Sequence, residues 1–258
     1  MTGRNTMEYE KLLNLGSELG RMLMHAGAEI YRVEESVTRL LTAYGVEPQV
    51  FAIPNTLIVS IDTPEGRPMT RMCRIGPHGT DIELIEFCND LCRKLCAAPI
   101  PVEEALARLR ELPKRRRVYS NRVVLLGYVL ASAFFAAFFG GGVEDFLCAA
   151  LTGGVVGCVV LYGQPLIGSN GFFRTVVCSA VAGAIPMLLT AAGLGRDQDT
   201  IIIGVLMVLV PGMALTNAMR EIMAGDIISG VNRTAEVLLV GTAIALGVAL
   251  PLMVGRLW

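Results

Sequence analysis

Two hydrophobic rhythms divide this chain. Up to about residue 112, apolar positions recur at the short periods of amphipathic helices and strands; beyond residue 122 they merge into runs long enough to cross a bilayer. Leu12, Leu19, Leu23 and Ala26 share a helical face that stops at Gly27, and Ile30, Val33, Val37, Leu40 and Tyr44 share another that stops at Gly45. That spacing predicts an αα-hairpin with glycine C-caps. Between Val46 and Ile75 the period shortens to that of strands in VEPQVFAI, TLIVSID and MTRMCRI, separated by Pro54-Asn55 and by a Thr63-Pro64-Glu65-Gly66 turn. A small β-meander is expected there. Thr80 with Glu83 predicts a capping box for a helix to about Leu95, and Pro101-Val102-Glu103-Glu104 opens another that ends near Leu112. Residues 1–112 are therefore expected to form an α+β domain.

Residues 113–122, PKRRRVYSNR, read as a basic linker, and residues 123–258 as a transmembrane domain. A span needs about 20 apolar residues. Candidate spans lie at about 123–140, 145–162, 172–194, 201–219 and 235–255, so the expected fold class is a polytopic α-helical membrane protein of about five transmembrane helices with an N-terminal cytosolic α+β domain. Gly153 and Gly157 form a GxxxG pair that permits close helix approach, and Pro186 marks a possible kink.

Charge sets the expected orientation. The net charge is only −1 over 258 residues, but it is unevenly spread. The first twenty residues lack a basic segment followed by an apolar core, so no cleaved signal peptide is expected and the first domain stays in the cytosol. Lys114, Arg115, Arg116, Arg117 and Arg122 precede the first span, and the positive-inside rule keeps them cytoplasmic. Five crossings then put the C-terminus outside, in a multi-pass protein of the plasma (inner) membrane. The basic cluster reads as a topology determinant beside anionic headgroups rather than a nucleic-acid site, so lipid and not nucleic acid is the expected partner. Seven cysteines, an odd number spread over both halves, argue against a disulfide framework. Cys88, Cys92 and Cys96 line one helical stripe; buried small residues explain them better than a soft-metal site, and neither metal nor other cofactor is expected.

The most informative stretch is PGMALTNAMREIMAGDIISGVNRTAE, residues 211–236. Pro211 removes a backbone donor inside an apolar run and Gly212 lets the chain bend, so carbonyls near residue 207 lose their partners. In hydrocarbon such a break survives only where protein or a wet cavity re-satisfies it, as in many transporter substrate sites. Thr216 and Asn217, one turn on, offer a hydroxyl and an amide to a small polar solute. Arg220, Glu221, Asp226, Arg233 and Glu236 follow, and ionisable groups at membrane depth or edge are candidates for substrate binding and proton exchange. They also read as a cytoplasmic loop in which the arginines obey the positive-inside rule and Asp226 caps the last helix. In the first domain His25, Glu29, Arg32, Glu34 and Glu35 crowd a helix–helix corner. A hydrolase base there, His25 or Glu29, competes with a structural ion pair to Arg32. No nucleophile motif accompanies it, so no catalytic residue is assigned.

Those residues resemble the threonine/serine exporter (ThrE) family. GAEIYRVEE at 27–35, the strands through 46–76, DIELIEFCNDLCRKL at 81–95 and the 211–236 segment carry the resemblance, which is nearest to the N-terminal half of fused exporters, the part that also occurs alone as the YjjP-type subunit. The resemblance implies proton-driven export of small polar metabolites: threonine and serine for fused members, or succinate-like dicarboxylates for split pairs. It also implies a second small membrane subunit, or a homo-oligomer in its place. Carried over position by position, it marks Pro211, Gly212, Thr216, Asn217, Arg220, Asp226, Ser229, Gly230, Arg233 and Glu236, with Gly27, Glu29, Arg32 and Glu34; Glu221 stands where the family motif has aspartate. The expected assignment is Thr216, Asn217, Arg220 and Arg233 for substrate and Glu221, Asp226 and Glu236 for protons, with Pro211 and Gly212 as the helix break. The leading expectation is a transporter, not an enzyme. A membrane-tethered hydrolase, or an assembly subunit whose partner holds the path, are the competing readings.

Overall fold

A computed structural model describes residues 6–63, 66–76, 79–163, 165, 168 and 170–255. Pro64 and Glu65 of the expected turn lie outside the described residues. The elements are α1 (Thr6–His25), α2 (Ile30–Ala43), β1 (Pro48–Ile53), β2 (Thr56–Asp62), β3 (Pro68–Arg74), α3 (Ile82–Ala97), α4 (Val102–Arg115), α5 (Asn121–Phe138), α6 (Val143–Tyr162), α7 (Gly171–Ala191), α8 (Gln198–Leu206), α9 (Gly212–Met223) and α10 (Ile227–Gly255). They group into two compact units, Met1–Arg117 with Thr216–Arg233, and Val118–Leu215 with Thr234–Trp258. The sequence boundaries at 112 and 123 are contiguous; the structural ones are not, because a later segment joins the first unit.

In the first unit, α1 is the central element. Leu12, Leu15, Leu19 and Leu23 on it are almost fully buried, together with Ile30, Val33, Val37 and Leu40 of α2 and Leu109 of α4. Gly16 and Gly20 let neighbours close in: a Cβ on Gly20 would lie 2.5 Å from Leu57 Cδ2 on β2. Both hairpin helices end as their glycines predict, with Gly27 at φ 84° and Gly45 at φ 75°. The Ala28 N–H bonds back to the Leu23 carbonyl at 3.0 Å, closing the Schellman turn.

The three strands form an antiparallel meander in the order β1-β2-β3. Val50 pairs with Val59, which pairs with Arg71. The strand period of two puts Leu57, Val59 and Ile61 on the core face. The helix after the sheet starts one residue later than expected. Asp81, not Thr80, is its N-cap: the Asp81 carboxylate accepts the Leu84 N–H at 3.0 Å, while Glu83 accepts the Arg117 N–H at 2.7 Å. The expected linker also shrinks, since α4 continues through Pro113 to Arg115.

The second unit contains α5, α6, α7, α8 and the greater part of α10. Among the described residues, four helices are long and apolar enough to cross a membrane: Asn121–Phe138, Val143–Tyr162, Gly171–Ala191 and Ile227–Gly255. Of the five expected spans, the fourth, at 201–219, is the one expected to break at Pro211, and no continuous helix of membrane length covers it. The expected span 201–219 is split into α8 and α9, with residues 207–211 outside any helix. Pro211 has no N–H to continue the ladder, and the α8 end tightens instead, Leu209 N–H reaching the Leu206 carbonyl at 2.8 Å.

Small residues pack this unit. A Cβ on Gly153 would lie 2.3 Å from Ser132 Oγ, and one on Gly157 would lie 2.9 Å from Leu125 Cδ1, so α6 touches α5 through the expected GxxxG pair. Gly204 does the same for α8, where a Cβ would lie 2.6 Å from the Ala136 nitrogen. One acid is nonetheless buried. Asp145, in the first turn of α6, accepts the N–H groups of Gly142, Arg196 and Asp197 at 3.1, 2.7 and 2.9 Å, pinning the loop before α8.

Candidate functional site

The site is built where the α1–α2 corner meets the α9–α10 hairpin, within the first unit. α9 ends at Met223 and the chain turns at Gly225, whose φ of 92° suits only glycine without strain. The Asp226 N–H then returns to the Glu221 carbonyl at 3.0 Å. Asp226 next caps α10, its carboxylate accepting the Ser229 N–H at 3.1 Å. Gly230 permits the hairpin to close, since a Cβ there would sit 3.0 Å from the Ile222 nitrogen.

This hairpin presents Ala218 and Glu221 as the buried positions of α9. The Glu221 side chain is fully buried. Its Oε1 accepts the Ile30 N–H at 3.2 Å, one of the donors that the start of α2 leaves without an intrahelical partner. Arg233, itself nearly buried, lies with its Nε 3.1 Å from that same oxygen and donates from Nη2 to the Ala28 carbonyl at 2.9 Å. Glu29 occupies the N-cap position of α2 without capping it. Its carboxylate pairs instead with Arg32 Nε at 3.0 Å and with Arg220.

Two acids and three arginines thus interlock around the turn Ala28–Glu29–Ile30. Burial pushes the Glu221 carboxyl above the usual range, against the downward pull of Arg233 and the Ile30 N–H. Its second oxygen, Oε2, is buried with no hydrogen-bond partner among the described residues. A buried, half-satisfied acid beside a buried guanidinium is a group that can take up a proton.

The predicted site residues separate into those gathered in the cluster and those outside it. Glu29, Arg32, Arg220, Glu221 and Arg233 are brought together. Glu34 is drawn into a structural contact, accepting the Ala52 N–H of β1 at 2.7 Å, and burial together with the Asp226 charge raises its carboxyl. Thr216 is exposed and Asn217 half-buried on α9, Glu236 is exposed on α10, and Pro211 and Gly212 lead into α9. Sequence reading missed the backbone partners, Ile30 N–H and the Ala28 carbonyl. The signal for them was the absence of a good capping side chain at the start of α2, which Glu29 fills poorly.

A helical protein with several membrane-length helices and a buried ionic cluster belongs among multi-pass membrane proteins, and the comparisons give its family. The ThrE profile, that of threonine/serine exporters, matches residues 14–255, so this chain belongs to the ThrE family. It is 23% identical over 257 residues to a threonine/serine exporter of Corynebacterium glutamicum, covering 95% of this chain and 52% of that protein. It is 24% identical over 242 residues to pheromone-regulated membrane protein 10 of Debaryomyces hansenii, covering 89% and 23%. An uncharacterised Schizosaccharomyces pombe protein is 23% identical over 239 residues, covering 90% and 31%. The chain therefore spans about half or less of the length of these relatives. No solved structure matches it significantly. It is a membrane protein of a transporter family.

Proposed function

We propose that this chain exports threonine- and serine-type amino acids, driven by the proton motive force, and that Glu221 and Arg233 form its exchange centre. The carrying observation is the buried pair itself: Glu221 fully buried, Arg233 Nε 3.1 Å away and Oε2 unpartnered. Protonation of Glu221 removes the charge that holds Arg233. The freed guanidinium then takes a cargo carboxylate in a bidentate contact, and return of the cargo to water goes with loss of the proton. Thr216 and Asn217, near the start of the same helix, are the proposed partners for the cargo's hydroxyl and amino groups. Asp226 and Glu236 are the proposed relay for the proton. The first unit faces the cytosol in this reading, the C-terminus lies outside, and the pathway is completed by a second small membrane subunit or a further copy of the chain.

A dicarboxylate such as succinate is the alternative cargo, supported by the excess of three arginines over two acids in the cluster. A tethered hydrolase draws less support, because Glu29 is held by two guanidiniums and is poorly placed to act as a base. The test is efflux from vesicles carrying the full chain, alone and with its neighbouring membrane subunit. Wild type should move serine, threonine or succinate in response to a pH gradient, and Glu221→Gln should move them at a rate that no longer responds to the gradient. Gradient-driven export by the Glu221→Gln variant at the wild-type rate would reject the exchange centre. Asn217→Ala should insert normally but lose export.

A further inference from the structure

The cysteine stripe that the transport reading leaves unused shapes a second feature of the first unit. Cys88 is fully buried, but Cys92 and Cys96 come to a hollow between α2 and α3, because Ser36, Cys92, Cys96 and Ala97 are all short where the two helices face each other. The hollow has a volume of about 770 Å³, inside the usual span of small-molecule sites of roughly 300–1,000 Å³. Its lining contains Arg32, Arg39 and Arg93 against the single acid Glu35.

We propose that this hollow binds a small multivalent anion, a di- or tricarboxylate or a phosphate-bearing metabolite. Its lining combines the small side chains of Ser36, Cys92 and Cys96 with three exposed guanidinium forks, the chemistry that grips planar or tetrahedral oxyanions. These arginines can be recruited at little cost. Arg93 lies 3.8 Å from Asp90, beyond hydrogen-bond reach, while Lys94 holds that carboxylate at 2.7 Å. Arg39 pairs with Glu35 at 2.6 Å, but the two side chains are 71% and 53% exposed. An exposed i,i+4 pair of that kind contributes less than one charge-assisted contact to a bound anion. Arg32 is shared with the exchange cluster, since it also pairs with Glu29, which holds Arg220. An anion that engages Arg32 competes with Glu29, so occupancy of the hollow is read at the corner that Glu221 and Arg233 clamp.

The test uses the full chain in lipid nanodiscs, with thermal unfolding followed as succinate, citrate or inorganic phosphate is titrated against potassium chloride of equal ionic strength. At least one of the three should raise the midpoint saturably, and the selective one tells carboxylate from phosphate. Any shift produced by L-serine, the proposed cargo, arises at the transport site and should be the same in a variant that lacks Arg39 and Arg93. The Arg39→Gln/Arg93→Gln double variant should weaken binding by at least roughly tenfold, the size expected for loss of charge-assisted hydrogen bonds. The Arg39→Lys/Arg93→Lys variant, which keeps the charge and loses the forks, should fall between. The part of the shift that Arg39 and Arg93 support should persist in Asn217→Ala, which removes a proposed cargo contact, so failure of export and failure of this site are told apart. A midpoint that none of the three anions shifts beyond chloride, or a shift that survives intact in the double glutamine variant, overturns the proposal.

Discussion

The two compact units invert each other's rule for what is buried. In the first, the fully buried side chains are large aliphatics such as Leu12, Leu15, Leu19, Ile30 and Leu41. In the second they are largely small, Ala136, Ala149, Ala182, Ser132 and Thr152 among them, while Phe134, Phe138, Leu147, Leu238 and Leu239 are left exposed. Solvent is the difference. In water, burial of a large apolar side chain is the main driving force, about 1.5–3 kcal/mol each. In hydrocarbon the exposed side chain is already in an apolar medium, so helices gain by close backbone approach through glycine, alanine and serine. The same reasoning explains where charge sits. Among the described residues, the buried charges of the first unit lie in one interlocked cluster around Ala28–Ile30, and the buried acid of the second is Asp145, whose carboxylate takes three backbone N–H groups.

The sharpest way to break this comparison is at the cluster. Arg233→Ala leaves Glu221 buried without its counter-charge and should destabilise the first unit by about 3–5 kcal/mol, the usual cost of removing one partner of a buried pair. Thiol labelling reads this directly. Cys88 is buried with its thiol pushed up to about 12, so it should resist alkylation in the wild type and react in the variant at denaturant concentrations that leave the wild type protected. Unchanged protection would mean that the pair contributes nothing to folding.

A matched pair of leucine truncations tests the solvent argument itself. Leu19→Ala in the first unit should cost about 2–5 kcal/mol, whereas Leu239→Ala, 60% exposed on α10, should stay within about 0.5 kcal/mol in a bilayer. Equal costs at the two positions would contradict the inversion.

The smallest effect is a slope. Because burial raises the Glu221 carboxyl above its unfolded value, the folded state binds the proton more tightly than the unfolded one. The stability this contributes is complete below the unfolded pKa and falls as pH rises through the higher folded pKa. Unfolding midpoints of the wild type should therefore decline over that window, and the decline should be shallower in Glu221→Gln. Identical slopes would place the titration elsewhere, with Glu34, whose carboxyl is also raised, as the next group to replace.

Much of this architecture was legible along the chain, and the particular elements show why. The hairpin ends at Gly27 and Gly45 follow from local chirality, the meander from its period of two, and the interruption at Pro211 from a missing donor; each is settled within a few residues. The N-cap of α3 was misplaced by one residue because Thr80 and Asp81 are both good caps, and Arg117, far along the chain, engages Glu83.

The amino-acid sequence by itself determined the family, the membrane-length helices, the broken fourth apolar run and the polar residues grouped after it. Only the tertiary structure decided which of those polar residues meet. It set Glu221 on the Ile30 N–H, Arg233 on the Ala28 carbonyl and Arg220 on Glu29, partners 191 to 205 positions apart in sequence, while Thr216 and Glu236 remained on exposed helix surface. Periodicity reports which face of a helix is apolar, because that depends on neighbours one turn away. The partner of a buried charge depends on which distant backbone groups lack a hydrogen bond, and that is fixed only when the chain has closed on itself.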